Sequence, residues 1–126
     1  MSCARDQFLK VRIYSRYDGL PMITITQDNV EREITQSSKP VIVDVYAVWC
    51  GPCQQMTPIF DELEKEIGDK YTFAKINVDE SRELSIKYGV TSVPTFLFIK
   101  DGQVKGKETG YMAKADLKKK IESLLG

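Results

Sequence analysis

Hydrophobic positions along this chain change period several times, and each change marks an element. Val41 to Ala47 is an apolar, β-branched run bounded by Lys39-Pro40, the signature of a buried central strand. Thr72 to Val78 and Thr95 to Ile99 read as further strands, and Met22 to Thr26 as a short one. Between them the spacing lengthens to that of a helix. Ile59, Phe60, Leu63 and Ile67 mark one face of an amphipathic helix ending at Gly68. Val30 and Ile34 repeat at helical spacing after Asp28, an N-cap candidate with Glu31 three residues on. Ser81 to Tyr88 predicts a short helix closed by Gly89, and Leu117, Ile121, Leu124 and Leu125 line the face of a last one. Gln103 to Lys107 pairs with Thr95 to Ile99 across Asp101-Gly102, a strong hairpin turn signal. Helices between strands imply parallel pairing through crossovers, and the closing hairpin adds antiparallel strands. The expected fold class is α/β: a central mixed β-sheet flanked by helices on both faces.

Residues 1 to 21 read differently. Arg5, Lys10, Arg12 and Arg16 stand against Asp6 and Asp18, and Leu9, Val11 and Ile13 alternate as in a short strand. Lys10 and Arg12 interrupt the only stretch that could serve as the apolar core of a secretory signal. The acidic residues count against a transit peptide. We therefore expect 1–21 to be an N-terminal extension, poorly ordered or adding a short strand, with the functional domain at 22–126.

Composition narrows the function classes. The chain has 126 residues, enough for one domain with a real core, and its 18 basic and 18 acidic residues cancel. A nucleic-acid or anionic-membrane footprint needs a basic excess on one face, so neither is expected as a partner. Lys118 to Lys120 is the only basic run, and it reads as a solvated helix face. No apolar run approaches a membrane span. Histidine is absent, which removes Cys-His, Ser-His and His-metal mechanisms within this chain.

Candidate chemistry lies in Val48-Trp49-Cys50-Gly51-Pro52-Cys53. Two cysteines at this spacing can be half a metal site, a staple or a redox pair. Structural zinc wants four Cys or His ligands, and three cysteines with no histidine fall short, so no metal is expected. A disulfide over two residues closes a very small loop and stabilises little. A redox pair fits better. The stretch follows a strand and opens a helix, so Cys50 sits where unpaired N–H groups and the positive end of the helix dipole favour thiolate, the nucleophilic form. Cys53 comes one turn later on the same side. Pro52 is tolerated in a first turn, and Gly51 leaves the sulfur approachable. Trp49 serves either as a docking surface or as plain core packing. Cys3 has no activating context and reads as an incidental thiol.

Other residues qualify on their own terms. Asp44 lies within VIVDVYA, where a carboxylate is costly unless paired or protonated. Without histidine it is the best general-base candidate. The alternative is an edge-strand Asp facing water. In TFAKINV, period two sets Phe73, Lys75 and Asn77 on one face and Ala74, Ile76 and Val78 on the other. Pro94 cannot donate to a ladder and must mark a strand start or a loop. Pro58 falls inside a helix, where it removes the bond to the Gln54 carbonyl.

WCGPC in these surroundings resembles the thioredoxin family, from about Met22 to the C-terminus. The resemblance implies the thioredoxin fold and a general protein disulfide reductase. Cys50 would be the nucleophile, Cys53 the resolving thiol, Asp44 the buried proton acceptor for Cys53, and Lys75 a modulator of Asp44. It implies a cis-proline at Pro94 that helps keep metals off the thiols. It implies that Val93 pairs its backbone with substrate, and that Gly110, in ETGYM, belongs to a third loop lining the groove with Trp49, Gly51 and Pro52. It implies no bound cofactor beyond a redox-active Cys50–Cys53 disulfide, with NADPH acting only through a flavoprotein thioredoxin reductase. The implied partners are that reductase and protein disulfides such as peroxiredoxins, methionine sulfoxide reductases or ribonucleotide reductase. A cytoplasmic monomer is expected. Two residues depart from the family pattern: Tyr46 stands where many members have tryptophan, and Val48 replaces a commonly polar residue. An oxidant or isomerase, and a binding subunit that does not use its cysteines, are the competing readings.

Overall fold

The two-residue alternation along the central strand decides how the sheet is covered. In the computed structural model, which describes residues 22–126, the strands are β1 (Ile23–Thr24), β2 (Val41–Tyr46), β3 (Thr72–Asn77), β4 (Thr95–Lys100) and β5 (Gln103–Thr109). The helices are α1 (Gly51–Ile67), α2 (Arg82–Lys87) and α3 (Lys114–Leu125), with a π-helical turn at Glu31–Thr35. The sheet order is β1-β3-β2-β4-β5. β1, β3 and β2 run parallel, while β4 is antiparallel to β2 and β5 to β4. This is the mixed sheet the pattern predicts.

β2 lies between β3 and β4, so both its faces must be covered. Val41, Val43 and Val45 join Ile25, Val30, Ile34, Ala74, Ile76, Leu84, Leu97 and Ile99 in one core. Ile42 points the other way and joins Met56, Phe60 and Leu63 of α1, Leu117, Ile121 and Leu125 of α3, and Phe73, Phe96 and Phe98. The helices therefore sit on both faces. Phe60 anchors this second core, meeting Phe73 edge-on at 5.0 Å between ring centres and Phe96 at 6.0 Å. On the surface, Lys114 bridges Glu62 and Glu66 and tethers α3 to α1.

Three local expectations change. The first strand is shorter than Met22 to Thr26, because Thr26 already turns the chain. Its carbonyl accepts the Asn29 and Val30 N–H groups, and its hydroxyl accepts the Asp28 N–H at 3.2 Å. Asp28 is therefore not the N-cap. Val30 holds that position without a side-chain cap, and the turn closes from Gln36 N–H to the Glu31 carbonyl at 2.9 Å. Gly68 follows α1 but keeps a right-handed φ of −67°, since the chain winds on through Asp69-Lys70. Lys39 Nζ donates to its carbonyl at 3.1 Å. The true left-handed stop is Gly89, at φ 70°. The hairpin turn is as expected, with Asp101 and Gly102 both at positive φ, as a tight primed turn requires. α1 continues through Pro58, and the Gln54 carbonyl it leaves free lies on an exposed face. The expectations for residues 1–21, Cys3 included, fall outside the described residues.

Phe60→Ala should lower unfolding free energy by roughly 3–5 kcal/mol, through lost burial plus the cavity left among Phe73, Phe96 and Leu63. Urea denaturation with an unchanged m-value checks this; a loss under about 1 kcal/mol would place the anchor elsewhere.

Candidate active site

The site forms where β2 gives way to α1. Ala47 is the last buried residue of the strand side, Val48 and Trp49 stand 62% and 69% exposed, and Cys50 is the N-cap of α1. Its extended backbone, φ −91° and ψ 116°, lets the sulfur turn back over the first helical turn. Cys50 Sγ accepts the Cys53 backbone N–H at 3.2 Å. One of the donors that every helix start leaves unpaired is thereby aimed at this sulfur. Pro52 falls in the first turn, where its missing N–H costs nothing. A Cβ on Gly51 would meet nothing within 4 Å, so this position borders open space. Both cysteines are free thiols, 5% and 2% exposed.

The two thiols are not equivalent. Burial pushes the Cys53 thiol up to about 12, and the neighbouring Cys50 and the Asp44 charge push the same way, while a backbone hydrogen bond with Ala47 opposes them. Cys53 therefore holds its proton at neutral pH unless a base removes it.

Asp44 is the buried carboxyl of the same strand. It faces the α1 side of β2, is 1% exposed, and its Oδ1 has no hydrogen-bond partner. β2 being central, the edge-strand alternative is excluded. Burial raises its carboxyl to about 7, against the Lys75 charge, which lowers it; Asp61 adds a smaller upward push. Lys75 lies directly across from Asp44 in the β2–β3 register and is half-buried.

A second wall stands opposite the cysteines. The Val93-Pro94 peptide is cis, and Pro94 is buried just before β4 begins. Cys50 Sγ lies 3.8 Å from the Val93 carbonyl oxygen, and Val93 packs on the Ala47, Cys50 and Cys53 cluster together with Tyr46. Gly110 N–H donates to the Pro94 carbonyl at 2.8 Å, which brings the loop after β5 to the same place. Its φ of 100° is the left-handed range that glycine tolerates.

The family model described as Thioredoxin matches residues 21–123. The chain belongs to the thioredoxin family. It is 39% identical to the thioredoxin of Rhodospirillum rubrum over 102 residues, 81% of this chain and 98% of the relative. The thioredoxin of Rickettsia felis is 39% identical over 93 residues, 74% of this chain and 89% of the relative. The chloroplastic M-type thioredoxin of Pisum sativum is 46% identical over 89 residues, 71% of this chain but 52% of that longer relative. The thioredoxin family consists of protein disulfide oxidoreductases.

Seen as a thioredoxin, the chain brings Asp44, Cys50, Cys53, Lys75, Val93, Pro94 and Gly110 to one end of the sheet. Trp49 is exposed rather than core, which decides the question its sequence left open. Asp79 escaped sequence reasoning: its Oδ2 accepts the Trp49 Nε1–H at 2.9 Å and holds the exposed indole in place. No local pattern marks it, because the pair is joined only when β3 ends beside the active-site turn. Gln54, whose side-chain amide donates to the Val48 carbonyl at 2.9 Å, braces the same turn from the first turn of α1.

Asp44 makes stability depend on pH. Unfolded, its carboxyl titrates near 3.8; folded, at about 7. Between those values the folded state keeps a proton that the unfolded state has released, so stability falls as pH rises and stays lowered above about 7. Asp44→Asn in the dithiol form should gain on the order of a few kcal/mol at about pH 8.5, and nothing below about pH 4. Urea unfolding at the two pH values tests it, and an equal effect at both would overturn the burial cause.

Proposed function

We propose that Cys50 and Cys53 carry this thioredoxin's disulfide reductase chemistry, with Cys50 attacking and Cys53 resolving. The observation that supports the order is the Cys53 N–H aimed at Cys50 Sγ at the start of α1. A donor at that position favours negative charge on the sulfur that receives it, whereas Cys53 keeps its proton. In the first step the Cys50 thiolate bonds to one sulfur of a substrate disulfide, and the other sulfur leaves as a thiolate that takes a proton from water. In the second step Asp44 accepts the Cys53 proton. The resulting thiolate attacks Cys50 Sγ and displaces the second substrate sulfur. Two electrons have passed to substrate, and a Cys50–Cys53 disulfide remains. An acceptor near 7 suits this transfer at neutral pH.

In this reading the groove is Trp49, Gly51, Pro52, Val93, Pro94 and Gly110. The Val93 backbone offers hydrogen bonds to an extended substrate segment, while the apolar walls accept many side chains. Lys75 modulates Asp44 through its charge. No cofactor is held; an NADPH-dependent flavoprotein thioredoxin reductase restores the dithiol. Partners are protein disulfides, with peroxiredoxins, methionine sulfoxide reductases and ribonucleotide reductase as the proposed examples. The working domain is 22–126, preceded by an extension at 1–21. We propose that the protein acts as a cytoplasmic monomer. No helix among the described residues is long and apolar enough to cross a membrane.

Supplied with NADPH and a thioredoxin reductase, the wild type should reduce insulin disulfides, and Cys50→Ser and Cys53→Ser should both abolish turnover. Cys53→Ser should accumulate a covalent adduct with substrate, and Cys50→Ser should not. Wild type without turnover sinks the reading; an adduct on Cys50→Ser alone reverses the roles. Asp44→Asn should slow release of the second product and leave adduct formation unchanged in stopped-flow measurements.

A further inference from the structure

Tyr46 departs from the common family residue, and the structure gives it a partner. On the α1 side of the sheet Asp44 lies across from Lys75 and Tyr46 across from Asn77, so Tyr46 is the diagonal neighbour of Lys75. The Lys75 ammonium stands 5.6 Å from the centre of the Tyr46 ring, within cation–π reach. The ion pairs among the described residues all use other cations. The same ring packs on the Ala47, Cys50 and Cys53 cluster. Tyr46 thus touches both the thiol cluster and the cation that faces the buried carboxyl.

We propose that Tyr46 is a positioning residue: its ring holds the Lys75 ammonium beside Asp44 and so sets the field in which Asp44 takes the proton from Cys53. The inference rests on Asp44 as the proton acceptor and adds what governs it. A lysine head on a flexible four-carbon stem is strongly hydrated and, unheld, turns to water. The ring face offsets part of that hydration and keeps the charge near the sheet. The other groups bearing on Asp44 come from α1, namely Asp61 and Cys53; its β4 neighbour Phe96 carries no charge. Lys75 is therefore the one cation acting on this carboxyl among the described residues, and its distance matters. Without the ring the cation withdraws, the carboxylate loses its stabilising neighbour, and Asp44 titrates at higher pH.

The test follows the Asp44 carboxyl carbon by NMR against pH in the reduced full chain. Tyr46→Leu should raise the midpoint by roughly half a pH unit, while Tyr46→Phe and Tyr46→Trp, which keep a π face, should match wild type. In a Lys75→Met background, Tyr46→Leu should move nothing further. An unmoved or lowered midpoint in Tyr46→Leu overturns the proposal. So does a Tyr46→Phe shift equal to that of Tyr46→Leu, or a Tyr46→Leu shift that survives Lys75→Met. Should Tyr46→Leu fail to fold, the wild type decides: upfield ring-current displacement of the Lys75 ε-methylene protons supports the contact, and unshifted signals refute it. These readouts need no turnover, so absent insulin reduction would refute the reductase reading and leave the contact standing.

Discussion

The structure depends on a carboxylate placed in a strand that is buried on both faces. β2 must be covered by helices on each side because it lies between β3 and β4, and that cover removes water from Asp44. The cost is visible in its raised carboxyl and its unpartnered Oδ1. A fold selected for stability alone would place an apolar residue there. Retaining the acid makes sense next to a buried thiol that cannot ionise unaided.

The same strand leads to Cys50. Where β2 ends, α1 begins almost at once, so the unpaired N–H groups of a helix start stand beside the carboxyl end of a central strand. Cys50 receives one of those donors, and Cys53, one turn on, is turned inward to a drier place. A single helix thus makes two unlike thiols from residues three apart. The cis Val93-Pro94 peptide and Gly110 face them because β4, which runs beside β2, begins at this edge, and β5, paired with β4, ends there.

Hydrophobic spacing carried most of the architecture. β2, β3, the hairpin and α1 follow directly from β-branched runs, period-two faces and the Ile59-Phe60-Leu63-Ile67 stripe. Cap chemistry transferred less well. Asp28 and Gly68 have the right identity for their expected roles, yet the turn at Thr26 moves the N-cap on to Val30, and the turn after Ile67 makes the second unnecessary. Local propensity offers several ways to satisfy the same backbone groups, and packing chooses among them.

The sequence by itself determined the fold class, the thiol pair and the absence of any histidine to serve it, because these depend on residue identity and short-range spacing. Only the tertiary structure decided that Asp44 is central rather than at an edge, that Trp49 is exposed and held by Asp79, and that Tyr46 meets Lys75. Burial and cross-strand contact are properties of neighbours supplied by distant parts of the chain. No local pattern encodes which strand will lie alongside, and it is that neighbour which sets the field at the site.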